Sequence, residues 1–113
     1  MNLDAEMIDN GITKVSLDGR LDIEGNNDIE TEFTALGHVK KAKILVDLTD
    51  VSFIASIGMR TFLRAATALS DRKGKMVLVN AQPLVQEALA SAGIDSLIPM
   101  HDEMEAAVAS LAE

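Results

Sequence analysis

Ser56, Asp95 and His101 stand in the order Ser…Asp…His of one kind of hydrolase triad. A nucleophile elbow would place that serine in Gly-x-Ser-x-Gly, because the turn packs too tightly for a side chain at the first glycine. Here the stretch reads Ile54-Ala55-Ser56-Ile57-Gly58, with Ile54 in that place. His101 also lies beside Asp102, at the expected start of a surface helix, so no enzymatic activity is expected of the chain. A phosphate-cradling loop of the form Gly-x4-Gly-Lys-Ser/Thr does not occur, and Ile57-Gly58 supplies only one of the three glycines of a dinucleotide fingerprint. His38 and His101 have no further ligand at metal spacing, cysteine is absent, and no Asp-x-Asp-x-Asp-Gly loop occurs. No cofactor and no metal are therefore expected. What remains is the hydroxyl of Ser56 itself. At a strand-to-helix turn it can cap the helix by accepting from a free N–H. If phosphorylated, it would set an anion at the positive end of the helix dipole.

The bulk of the chain limits the partners of such a turn. With 113 residues, one domain spanning 1–113 is expected. Only three residues are aromatic, all phenylalanine, so the core must be aliphatic. The formal charge of −8 argues against nucleic acid or an anionic membrane surface as the main partner and favours one with a basic patch. No apolar run approaches the ~20 residues of a membrane span. The start Met1-Asn2-Leu3-Asp4-Ala5-Glu6 lacks the basic and apolar regions of a signal peptide, so a cytoplasmic protein is expected.

Several elements must position Ser56. Asn10-Gly11 between two short runs predicts a hairpin, with Ile12–Leu17 as its second strand and Lys14 facing solvent. Asp18-Gly19-Arg20-Leu21-Asp22-Ile23 reads as a polar loop. Asn26 or Asn27 then caps a helix with Glu30 in its first turn and Ile29, Phe33 and Leu36 on its apolar face, and Gly37 stops it. Lys43–Leu48 is a buried strand. Met59, Phe62, Leu63, Ala66 and Leu69 recur at helical spacing, and Gly74 stands where a helix stop is needed. Met76–Val79 is a second buried strand. Pro83 opens a helix with Leu84, Val85, Ala88, Leu89 and Ala92 inward, ended by Gly93. Leu97–Met100 is a last short strand, and Asp102 caps a final helix with Met104, Ala107, Val108 and Leu111 as its stripe. The order is β-β-α-β-α-β-α-β-α. It predicts an α/β fold, with a mainly parallel sheet covered by helices and an antiparallel hairpin at one side.

The stretch Asp47-Leu48-Thr49-Asp50-Val51-Ser52-Phe53-Ile54-Ala55-Ser56-Ile57-Gly58-Met59 resembles the signature of STAS domains, Asp-Leu-Ser-x-Val-x-Phe-Ile/Met-Asp-Ser-Ser/Thr-Gly-Leu/Met. Gly19-Arg20-Leu21-Asp22 resembles the family's early Gly-Arg/Glu-Leu-Asp. The resemblance implies the soluble branch of anti-sigma factor antagonists, which act in bacterial signal transduction and transcription regulation. In that branch the unphosphorylated antagonist binds an anti-sigma factor that is a serine kinase carrying its own ATP. Phosphorylation breaks the complex, and a serine phosphatase resets the switch. The phosphorylated serine falls on Ser56, and Asp22 falls on an acidic residue near the partner interface. The implied partner surface is Asp22, Phe53, Ile54, Ala55, Ile57, Gly58, Met59 and Arg60. Ala55 stands where the signature has Asp, and Ile57 where it has Ser or Thr, which leaves a more apolar surface that suits tight docking; the alternative role is a scaffold or ligand-sensing module that is never phosphorylated. Arg60, four residues after Ser56, is placed to meet a phosphoserine or an acidic partner.

Overall fold

Two apolar runs form the centre of a five-stranded sheet in the computed structural model, which describes residues 1–112. The elements are β1 (Asn2–Met7), β2 (Ile12–Leu21), α1 (Ile23–Leu36), β3 (Lys43–Ile54), α2 (Ser56–Asp71), β4 (Lys75–Val79), α3 (Pro83–Ser91), β5 (Met100–His101) and α4 (Met104–Ala112). The strands lie in the order β1-β2-β3-β4-β5, with β1 antiparallel to β2 and all other pairs parallel. This is the α/β architecture that the pattern predicts.

Alternation along the strands divides the core in two. On one face Val15, Leu17, Ile44, Val46 and Leu78 meet α1, α2 and α3. There the rings of Phe33 and Phe62 stack with centroids 5.2 Å apart. On the other face Ile12, Leu45, Val77 and Val79 are covered by Ala107 and Leu111 of α4. Farther along that side, Lys14 sits half-buried with its Nζ 3.9 Å from an Asp47 oxygen, so it is less open to solvent than the hairpin pattern predicts.

Several boundaries differ from the sequence reading. The Asn10-Gly11 turn forms, with both residues in the left-handed region at φ 66° and 72°. The expected polar loop after it is strand: β2 continues through Asp18-Gly19-Arg20 to Leu21, kept in register with β3 by irregularities on either side of Asp18 and Gly19. Likewise β3 runs on to Ile54. The first helix is capped by Asp22, several residues before Asn26 and Asn27. Leu84 of α3 and Ala92, just past its end, are exposed and do not face inward. The expected strand Leu97–Met100 shrinks to Met100–His101, because a 3-10 turn at Ile94–Ser96 precedes it and leaves Leu97 exposed. The final helix begins at Met104, so Asp102 lies too early to cap it.

The end of α2 also differs. The left-handed residue after its C-cap Arg72 is Lys73, at φ 63°, and not Gly74. Gly74 serves a different need: a Cβ there would meet the Ala42 carbonyl oxygen at 2.6 Å. A left-handed position after a helix end favours glycine. Lys73→Gly is therefore expected to stabilise the fold by about 1 kcal/mol, a rise in Tm of roughly 4 °C. A thermal melt checks it, and an unchanged or lower Tm would contradict it.

Candidate functional site: the paired helix starts

β2 and β3 are parallel neighbours, and their last residues, Leu21 and Ile54, are partners in register. The Ala55 N–H donates to the Leu21 carbonyl at 2.9 Å and extends that pairing by one residue. Helices α1 and α2 consequently begin side by side at one end of the sheet. Their first turns press close to the strands. A Cβ on Gly58 would lie 2.5 Å from Leu21 Cγ, and one on Gly25 would overlap the Arg20 carbonyl oxygen.

Asp22 and Ser56 use their helix starts differently. Asp22 Oδ1 accepts from the Gly25 N–H at 2.9 Å, and this caps α1. In α2 the N-cap is Ala55, which has no side-chain capping bond, and Ser56 is the first helical residue. The capping role expected of Ser56 is therefore not filled. Its hydroxyl is exposed and has no hydrogen-bond partner among the described residues. The first turn of α2 also contains no acidic residue, so the positive end of its dipole is uncompensated. No bond links Ser56 to Asp95 or His101 among the described residues, and His101 Nε2 is buried without a partner.

The expected partner surface splits into two sets. Ser56 and Arg60 are exposed, Phe53 keeps 39% of its surface open, and Asp22, Ala55 and Ile57 are half-buried. These six sit on and around the paired helix starts. Ile54, Gly58 and Met59 point inward: Ile54 and Met59 are core residues at 5% and 9% exposure, and Gly58 is sealed against Leu21. Met59 therefore anchors α2 and offers nothing to a partner.

Three residues join the surface that sequence reasoning missed. The Arg20 guanidinium lies over the Phe53 ring, 4.4 Å from its centroid, with its Nε 3.7 Å from Asp22 Oδ2. This contact orients the ring at the end of the sheet. Ile23, the first residue of α1, is 67% exposed, and Leu84, in the first turn of α3, is 75% exposed. A bond from Gln82 Nε2 to the Thr49 carbonyl, at 2.8 Å, ties the start of α3 to β3. Phe53 and Leu84 thereby line a shared groove of about 270 Å³. Ile23 directly follows the Asp22 cap and Leu84 directly follows Pro83, and at these first-turn positions both face outward although the apolar pattern places Leu84 inward.

A buried polar link holds the two helix starts in fixed relation. Thr61 Oγ1 donates to Asn26 Oδ1 at 2.6 Å, and Asn26 Nδ2 donates to Glu30 Oε2 at 3.2 Å. Asn26 is fully buried and Thr61 nearly so, in the midst of apolar packing. Loss of either partner would leave a desolvated polar atom.

The Gly25 N–H, foremost, holds the Asp22 carboxyl below its ordinary pKa, with its own backbone N–H and Arg20 adding to the effect. A depressed folded-state pKa gives stability that is present above the unfolded value, about 3.9. It is lost as pH falls through the folded value. The α1 cap should thus hold at neutral pH and weaken in acid below about pH 4. Asp22→Asn, which can still accept from Gly25, should flatten that part of the stability–pH curve. An identical acid limb in the variant would remove Asp22 as its source.

Comparison with known proteins fits this geometry. The model of the STAS domain family matches residues 5–107. A Bordetella bronchiseptica protein named for the role of anti-sigma factor antagonist, BtrV, is 29% identical over 110 residues, covering 97% of this chain and 94% of its own. The crystal structure of an anti-sigma factor antagonist from Mycobacterium paratuberculosis superposes with a TM-score of 0.86 at 19% identity, over 99% of this chain and 94% of that one. The Bacillus cell fate determinant SpoIIAA in its phosphorylated form superposes with a TM-score of 0.70 at 21% identity, over 96% and 98% of the two chains. Since the family model matches residues 5–107 and the five-stranded sheet with its covering helices has the STAS topology, the chain belongs to the STAS domain family.

Proposed function

We propose that this chain is an anti-sigma factor antagonist that works by partner switching. In its unphosphorylated form it docks the start of α2 onto an anti-sigma factor serine kinase. The kinase, using ATP that it binds itself, phosphorylates Ser56 and is released, and a serine phosphatase restores the hydroxyl. The chain acts as a binding surface and carries out no catalysis of its own.

The observation that carries this reading is the state of Ser56: exposed, free of a capping bond, and first in a helix whose N-terminus has no acidic neighbour. Set one residue past the N-cap, the hydroxyl is not drawn into capping and is open to a docked protein. The flanking Phe53 and Ile57 offer apolar area to a docked protein, and Asp22 and Arg20 offer charge at its rim. The relative from Bordetella bronchiseptica, named for the same role, supports the reading.

The test is incubation of the purified chain with its cognate kinase and ATP, followed by intact-mass measurement. A gain of one phosphate that disappears in Ser56→Ala is expected. Binding without any mass gain would favour the unphosphorylated scaffold instead, for which the uncharged Ala55 and Ile57 beside the serine are the supporting feature.

A further inference from the structure

Positive charge in this acidic protein is gathered on one face. Two shallow depressions share Asp71 and Arg72 among their lining residues, one of about 420 Å³ along the outer flank of α2 and one of about 330 Å³ at its C-terminal end. Arg60, Arg64, Arg72, Lys40, Lys41 and Lys73 line them, six of the ten lysines and arginines of the chain. Of the 18 aspartates and glutamates, only Asp71 lines either depression. None of the six cations forms an ion pair among the described residues; the ion pairs there involve the terminal amine, Lys14 and Arg20. The local charge is thus opposite in sign to the net charge of −8.

The backbone holds the two turns that carry Lys41 and Lys73 against each other. Lys41 and Lys73 both occupy the left-handed region, at φ 56° and 63°, where glycine or asparagine is the unstrained choice. Their two turns are bonded together, Lys41 N–H to the Arg72 carbonyl at 2.9 Å and Lys75 N–H to the Ala42 carbonyl at 2.9 Å. Strain retained at two lysines on one charged face points to a use for their ammonium groups.

We propose that this face docks an acidic helix of a protein partner. From Arg60 to Arg72 the cations extend about 18 Å along α2. Lys40, Lys41, Arg72 and Lys73 gather at the C-terminal depression while Arg60 and Arg64 lie along the flank, so the face as a whole is longer than a single phosphate would fill. Between them, Leu63, Thr67 and Ala68 form a low floor on which a helix can lie. Carboxylates four residues apart on that helix recur about every 6 Å and match the Arg60–Arg64 spacing. Duplex nucleic acid or an anionic membrane would bring extended negative charge against the rest of an acidic protein, whereas one acidic helix brings its charge only to this face.

The face shares Arg60 with the surface around Ser56, but the inference does not depend on phosphorylation there. Its test is a titration of the isotope-labelled chain, followed by amide NMR, with a helical peptide of about 15 residues carrying glutamate at every fourth position. Amide shifts at Arg60, Arg64, Lys41 and Lys73, and none in α4, are expected, fading as salt is raised. The glutamine version of the peptide should leave the spectrum unchanged. Arg64→Glu combined with Lys40→Glu should weaken binding about tenfold or more. Ser56→Ala should bind the peptide as the wild type does, which keeps this result separate from that of the kinase assay. Absence of shifts, shifts on another face, or tighter binding of a short DNA duplex or of phosphatidylglycerol vesicles to this face would overturn the proposal.

Discussion

Phosphorylation of Ser56 is expected to weaken binding to the partner kinase by about a hundredfold, roughly 2.7 kcal/mol, without unfolding the chain. The opposing effects act in different states. In the complex, a group carrying about −1.5 to −2 charges would be pressed against the apolar surface of Phe53 and Ile57, with the Asp22 carboxylate at the rim. Desolvation of that charge in the closed contact opposes the placement, whereas repulsion from Asp22 is present in both states. In the free protein the same charge meets an uncapped helix start with no acid in its first turn, a favourable site by about 0.3–1 kcal/mol. Tm should therefore hold or rise slightly while affinity falls. Calorimetric titration and thermal melting of the phosphorylated chain, with Ser56→Ala as the binding-competent control, measure both. Equal affinity of the two forms would remove the switch. A large drop in Tm would mean that the charge acts through the fold and not at the interface.

Gly25→Ala is expected to be among the most damaging single methyl additions, costing about 3 kcal/mol. In an ordinary helix interior this exchange is favourable by about 1 kcal/mol. Here the added carbon overlaps the carbonyl of Arg20, which belongs to the β2–β3 pairing and cannot swing aside as a side chain could. Gly58→Ala should cost less, because the atoms it meets are the Leu21 side chain. Urea denaturation of the two variants tests the ordering, and a Gly25→Ala midpoint at or above the wild type would contradict it. Relief of the overlap would also move Asp22 and Arg20, so the variant should lose partner affinity beyond its loss of stability.

The layered fold was legible because its signals are local. The runs at Ile44–Val46 and Met76–Val79 are apolar on both faces, and the stripe through Met59, Phe62 and Leu69 has helical spacing. The polar segment Asp18-Gly19-Arg20 hid a strand because irregular pairing breaks the two-residue alternation and its side chains face solvent. The true start of α1 was hidden for a related reason. Asn26 looks like a cap, but it is buried against Thr61, a partner 35 residues away that no local pattern reveals. The site was legible as a location and less so as a surface. Ser56 stood out, yet its neighbours at Ile54 and Met59 turn into the core, and the exposed Ile23 and Leu84 come from other elements that only the sheet brings to the same end. The cationic face was hidden by the net charge, since its members come from α2 and from two turns that meet only in the fold.

The strands lie in space in the order in which they occur along the chain. Each strand pairs with the one made just before it, and none has to be threaded between two that are already joined. Such a sheet can grow by addition during synthesis, as short loop closures favour. The two faces do not mature together, however. The face bearing Val46 and Leu78 receives its helices as the strands arrive, while Ile12, Leu45 and Val77 wait for α4, the last helix of the described chain. With α4 undocked, the sheet would be covered on one side and bare on the other, so a chain shortened before Met104 is expected to expose Ile12, Leu45 and Val77 and to aggregate.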